Sequence, residues 1–192
     1  MLKKSSTPQV FLALLAGVSI VAVSALGNDA KADELGFGTT PTKEEIAKID
    51  IDAMPDGRGL PKGSGTVAKG KEVFAEKCAA CHGENLEGIK EAGGDKLIGG
   101  RGTLNTAKPV KTIESYWPYA STVFDYVKRA MPFNEPGSLT DDEIYSVTAY
   151  ILNRANIIKE DEEMNAETLP KVQMPNKDGF IPDPRPDIRH YR

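Results

Sequence analysis

The stretch Cys78-Ala79-Ala80-Cys81-His82 constrains this chain more than any other, because it holds both of its cysteines and one of its two histidines. Several chemistries compete for such a cluster. A structural zinc site takes four nitrogen or sulfur ligands, and only His190, in the C-terminal tail, is left to serve as a fourth. A redox pair of thioredoxin type expects the cysteines at the start of a helix that follows a strand, where the helix dipole lowers a thiolate pKa. Here Val67, Gly70, Phe74, Cys78 and Cys81 step by 3, 4, 4 and 3, which predicts both cysteines on the buried stripe at the far end of a helix. No strand-helix-strand pattern surrounds them. The third chemistry is covalent haem attachment through C-x-x-C-H. On a last helical turn, two thiols three residues apart can each form a thioether with a vinyl group on one porphyrin edge, and His82 then projects toward the iron. Two buried cysteines beside a chance histidine form the plain alternative. The haem reading is favoured because the motif, the helix and an export signal agree.

Iron held this way takes a sixth ligand, and a soft thioether raises its potential and excludes oxygen and peroxide. The candidates in the body of the chain are Met54, Met131, Met164 and Met174. Met131 and Met174 each precede a proline, a context that turns the chain and can hold the thioether outward. Met131 is the expected ligand, since it lies 49 residues after His82 and between two predicted helices. The competing role for any methionine is core filling. An iron left without a sixth ligand would instead make the chain a haem enzyme or gas sensor.

The export signal occupies residues 1–32: "MLKK" gives a basic start, "VFLALLAGVSIVAVSALG" an apolar run, and Ala30-Lys31-Ala32 a small-residue cleavage site. The expectation is a periplasmic protein starting at Asp33; left uncleaved, residues 10–27 would anchor it to a membrane. Removing the leader takes away Lys3, Lys4, Lys31 and Asp29, leaving 21 basic and 27 acidic side chains and a formal charge of −6. That balance disfavours nucleic acid and favours a partner with a basic face.

The remainder divides into an irregular N-terminal extension (33–65), a domain (66–158) and an extended Pro-rich tail (159–192). Within the extension, Thr42 and Glu45 stand at capping-box spacing. The glycine-rich residues 83–102 read as a loop. A helix is predicted from about Pro118, with Ala120, Val123, Phe124 and Val127 inward, until Pro132 blocks it. The last helix starts at Thr140, with Glu143 completing the box and Ile144, Val147, Ile151 and Ala155 facing the core. Five prolines after residue 169 exclude helix or strand patterning in the tail.

Together "GKEVFAEKCAACHG", the "MPF" at 131–133 and "LTDDEIYSVTAYIL" resemble class I cytochromes c over residues 66–155. The resemblance implies an all-α fold, with three to five helices around one covalently attached haem c and irregular extensions at both ends. It also implies that Gly70 and Phe74 cross an aromatic of the last helix, here Tyr150. More narrowly, "TKEEIAKIDIDAMPDGRGLPKGSGTVAKGKEVF", "KLIGGRGTL", "SYWPYASTVFDYVKRAMPF" and "LPKVQMPNKDGFIPDPRPD" are similar to the cytochrome c subunits or partners of bacterial molybdenum sulfite dehydrogenases. They are equally similar to the haem domain of the sulfane dehydrogenase cytochrome subunit in the Sox sulfur-oxidation system. That likeness implies a molybdenum sulfite or sulfane dehydrogenase as electron donor, and a downstream cytochrome or oxidase as acceptor. Some such subunits carry two haems, whereas one C-x-x-C-H implies one here.

Where many class I cytochromes have Gly-Pro-x-Leu, whose proline carbonyl orients the proximal histidine, this chain has "DKLIGGRG". The acceptor for His82 is therefore expected to be a backbone carbonyl near Leu97 to Gly99. Arg101, Tyr116 and Trp117 are the candidates for the haem propionates, each offering a donor beside an apolar body. The fork of Arg101 suits a carboxylate, and Trp117 can equally be a core aromatic.

Overall fold

The computed structural model describes residues 39–184, so the leader with its cleavage site, and His190, lie outside the described residues. The chain divides into Met1–Thr40 and Pro41–Arg192, and the architecture below is that of the second unit.

Helix α1, Lys43–Ile49, forms where the capping box predicts: the Glu45 amide donates to Thr42 Oγ1 and the Thr42 amide to the Glu45 carboxylate. It buries no side chain, so local capping rather than packing defines it. Strand β1, Ser64–Thr66, leads into α2, Val67–Lys77, and then into the short α3, Ala79–His82. Helix α4 spans Ala120–Ala130 and α5 spans Asp141–Arg154.

The centre of the fold is α5, in which every residue from Ile144 to Leu152 is buried. Thr140 and Glu143 form its capping box as the sequence predicts. Helix α2 lies directly on α5 because residue 70 has no side chain: a Cβ there would land on the Ser146 carbonyl oxygen. Phe74 then meets Tyr150 with ring centroids 5.3 Å apart, the expected crossing. Helix α4 packs on α5 through Phe124 and Tyr145, 4.5 Å between centroids. It starts two residues after Pro118, and its predicted inward residues Ala120, Val123, Phe124 and Val127 are all buried.

Two expectations need correction. The first helix does not run unbroken through Cys81; α2 stops at Lys77, and Cys78 has φ −123° and ψ −37°. The Cys78 carbonyl accepts both the Cys81 and His82 amides, at 3.1 and 3.0 Å, a shared acceptor that tightens the chain into a new turn. The tail also carries structure that its prolines concealed. Glu163–Asn165 form β2, antiparallel to β1 with Gly65 opposite Met164, and a 3-10 turn follows at Leu169–Lys171. Met164, Leu169 and Met174 enter the core at 2%, 0% and 4% exposure, so these apolar side chains hold an otherwise polar segment against the helices. Among the described residues the regular structure is mostly helical, with this one small sheet. The segment before β1 and the first residue of the strand are fastened as well, by the Ala53 amide on Asp125, the Tyr145 hydroxyl on the Pro61 carbonyl and the Ser64 amide on Asp142.

Candidate functional site

The turn α3 presents the cluster. Both cysteines are free thiols, but the expected shared buried stripe is not formed: the new turn leaves Cys78 half-buried and Cys81 exposed. Burial, with a smaller contribution from neighbouring Cys81, pushes the Cys78 thiol up to about 11. That is the reverse of the activated thiolate a dithiol exchanger needs.

The loop after α3 returns onto it. The Gly88 and Ile89 amides donate to the carbonyls of His82 and Cys81, at 2.7 and 2.9 Å. Gly94 sits so close that a Cβ would land on the Cys81 carbonyl oxygen. This return delivers the Asp95 carbonyl to His82, with Nδ1 to oxygen at 2.7 Å. A carbonyl oxygen only accepts, so Nδ1 carries a proton, and in the neutral tautomer that this selects, Nε2 keeps the free lone pair. The acceptor is thus Asp95, upstream of the expected Leu97 to Gly99. Two of the expected carbonyls are occupied elsewhere: that of Leu97 accepts the Ile113 amide at 3.1 Å, and that of Gly99 accepts the Thr112 hydroxyl at 2.7 Å.

Met131 caps α4, its amide donating to the Val127 carbonyl at 3.1 Å, and its half-buried side chain packs at the edge of the core. Met164 and Met174 are consumed by the core, and Met54 is exposed in the N-terminal segment.

The propionate candidates have partners within the chain. Arg101 Nε pairs with Glu114 at 2.7 Å and Nη2 donates to the Ala155 carbonyl. The other Glu114 oxygen accepts the Gly99 amide. Arg101 therefore closes its loop onto the end of α5. Tyr116 meets the C-terminal segment: its carbonyl accepts from Asn176 at 2.7 Å and its ring contacts Phe180 at 5.2 Å. Trp117 is half-buried against the core and stacks edge-on with Tyr126 at 5.7 Å.

Cys78, Cys81, His82 and Asp95 thus form one cluster, while Arg101, Tyr116 and Trp117 stand in other contacts. Among the described residues, no group of three or more His, Cys, Asp or Glu is gathered for a metal ion. The donor set fits haem c: two free thiols three residues apart and an imidazole with its outer nitrogen bare. Asp95 and Glu114 escaped the sequence reading. The first acts through a backbone carbonyl, which no residue type reveals; the second is an ordinary surface-type residue until the loop folds.

The family model for cytochrome c matches residues 67–155, from the start of α2 to the C-cap of α5. A chain of the crystal structure of the sulfane dehydrogenase SoxCD from Paracoccus pantotrophus superposes with a TM-score of 0.72 at 44% identity. The match covers 80% of this chain and 74% of that one. A thiosulfate dehydrogenase from Stutzerimonas stutzeri is 31% identical over 113 residues, 58% of this chain and 33% of its own length. Cytochrome c6 from Synechococcus elongatus is 32% identical over 93 residues, 46% of this chain and 91% of its own. The chain spans about a third of the length of the thiosulfate dehydrogenases it matches, at 33% and 36%. With the C-x-x-C-H turn, the α2 and α5 crossing and these likenesses together, the chain belongs to the cytochrome c family, which holds its haem c covalently.

Proposed function

We propose that this protein is a periplasmic electron carrier with one haem c, serving as subunit or acceptor of a molybdenum sulfite or sulfane dehydrogenase. It passes single electrons to a further cytochrome or terminal oxidase, and no substrate bond is made or broken on the chain itself. The observation that carries the reading is the His82 hydrogen bond to the Asp95 carbonyl, which leaves Nε2 as a ligand beside two unpaired thiols. Cys78 and Cys81 would hold the haem by thioethers, and His82 Nε2 and the Met131 thioether would be the protein's ligands to its iron. When bound, the haem supplies a one-electron ferric and ferrous couple. The Asp95 carbonyl fixes the tautomer and ring orientation of His82. Met131, half-buried at the edge of the core, would offer its thioether to the iron and so exclude small ligands.

The likeness to a chain of SoxCD supports the choice of donor. The formal charge of −6 expected after removal of the leader supports a donor with a basic docking face. Two measurements test the proposal. The haem is expected to stay with the polypeptide after denaturation, and the ferric protein to be reduced by a purified sulfite or sulfane dehydrogenase only when its sulfur substrate is added. A high-spin ferrous protein that binds carbon monoxide rapidly would overturn the carrier reading in favour of an open iron site.

A further inference from the structure

Met131 ends a helix whose last turns carry an ionic clasp. Asp125 accepts the Ala53 amide at 2.8 Å through Oδ1 and Arg129 Nε at 2.9 Å through Oδ2, with Arg129 Nη2 on Oδ1 at 3.2 Å. The Arg129 guanidinium pairs in addition with Asp52. Residues 52 and 53 of the N-terminal segment are thereby fastened across the exit of α4, at 72 residues' separation from Asp125. One residue before Arg129, Lys128 reaches Asp141 at 3.0 Å and ties the same turn to the start of α5.

Exposed ion pairs contribute little to stability as such. Here Asp125 and Arg129 are about a quarter and a third exposed, and their arrangement does something more specific. Arg129 stands two residues before Met131, whose amide is held only by the final α4 bond to Val127. The last turn of a helix frays unless its groups are tied down, and a metal ligand must be held within about 0.5 Å of its productive position. We infer that Asp125 is a positioning residue for the Met131 ligand, acting by clasping the 52–53 segment and Arg129 around the α4 exit.

This inference rests on Met131 being the sixth ligand, so its test separates the two. Imidazole is titrated into the ferric holoprotein, where it competes with the native sixth ligand, and thermal unfolding is followed on the same samples. Asp125→Ala is expected to tighten apparent imidazole binding about tenfold, the scale of a lost hydrogen bond to a charged group. Asp125→Asn keeps an acceptor for the Ala53 amide and is expected to shift it less. Arg129→Gln, a surface change that leaves Asp125 intact, should also tighten binding and decides the matter if Asp125→Ala does not fold. In a Met131→Ala background, where the position is already open, Asp125→Ala should add nothing.

Imidazole affinity within twofold of the parent in both Asp125→Ala and Arg129→Gln, with only the unfolding temperature lowered, would reduce the clasp to ordinary stabilisation and overturn the inference. A Met131→Ala protein with unchanged spectrum and imidazole affinity would instead overturn the ligand assignment on which it stands.

Discussion

A thioether binds iron through a lone pair that protons do not compete for, so a methionine's availability is decided by packing rather than by pH. Met174 is 4% exposed and Met164 2%, whereas Met131 stands half-buried at a helix exit. Met131→Ala is accordingly expected to abolish the sulfur-to-iron absorption band and admit carbon monoxide to the ferrous protein. Met174→Ala should leave the band intact and cost about 2–5 kcal/mol in a denaturant titration, the range for emptying a core site. The reverse pattern would transfer the ligand role to the tail. Arg101 gives a second residue-scale expectation. Its partner Glu114 has a side chain only 13% exposed, so Arg101→Ala leaves a nearly buried carboxylate without its counter-charge and with the Gly99 amide on its other oxygen. A loss of about 1–3 kcal/mol in urea unfolding is expected; an unchanged midpoint would show that the pair contributes nothing. The C-x-x-C-H cluster was legible in the sequence because its chemistry demands particular residue types at one spacing. The Asp95 carbonyl was not, because every residue carries the same backbone acceptor and only the folded loop selects this one.

At the scale of elements, the two capping boxes were read correctly since each is a local bargain between a threonine hydroxyl and a carboxylate three residues on. In the second box the Thr140 amide, then its hydroxyl, lowers the Glu143 pKa below 4.5. A folded-state value below the unfolded one stabilises α5 fully above about pH 4.5, and the contribution is lost as pH falls through the lowered value. Thr140→Ala should cost about 1 kcal/mol at neutral pH, and its unfolding midpoint should depend less on pH below that point. Parallel acid titrations of the two proteins check both. The break at Cys78 was not legible, because the helical spacing continues through it and only the shared Cys78 carbonyl shows where the turn restarts. Between elements, Gly70→Ala places a methyl against the Ser146 carbonyl and must drive α2 off α5. A loss of about 3 kcal/mol or more is expected in denaturant unfolding, at the upper end for overpacking; a loss below 1 kcal/mol would mean the helices can slide apart cheaply.

For the whole molecule, the sequence indicated the helical body but hid how its ends complete it. Prolines and charges dominate residues 160–184, and against them three isolated apolar side chains carry no periodic signal. Their partners are far along the chain: β2 exists only because β1 offers an edge about 100 residues earlier, with Ser64 opposite Asn165 and Thr66 opposite Glu163. Met164, Leu169 and Met174 are nonetheless as buried as the helix residues of the same core. Burying each stabilises by about 1.5–3 kcal/mol, and the three together approach the 5–15 kcal/mol that holds a whole domain folded. A chain ended at Lys159 should therefore lose its cooperative unfolding transition and become sensitive to protease in the haem-loaded form. Leu169→Ala in the intact chain isolates one part of the effect and should cost about 2–5 kcal/mol. If the shortened chain unfolded at the same denaturant concentration as the parent, the segment would be a covering rather than a part of the core, because removing three buried apolar side chains cannot leave a shared core unchanged.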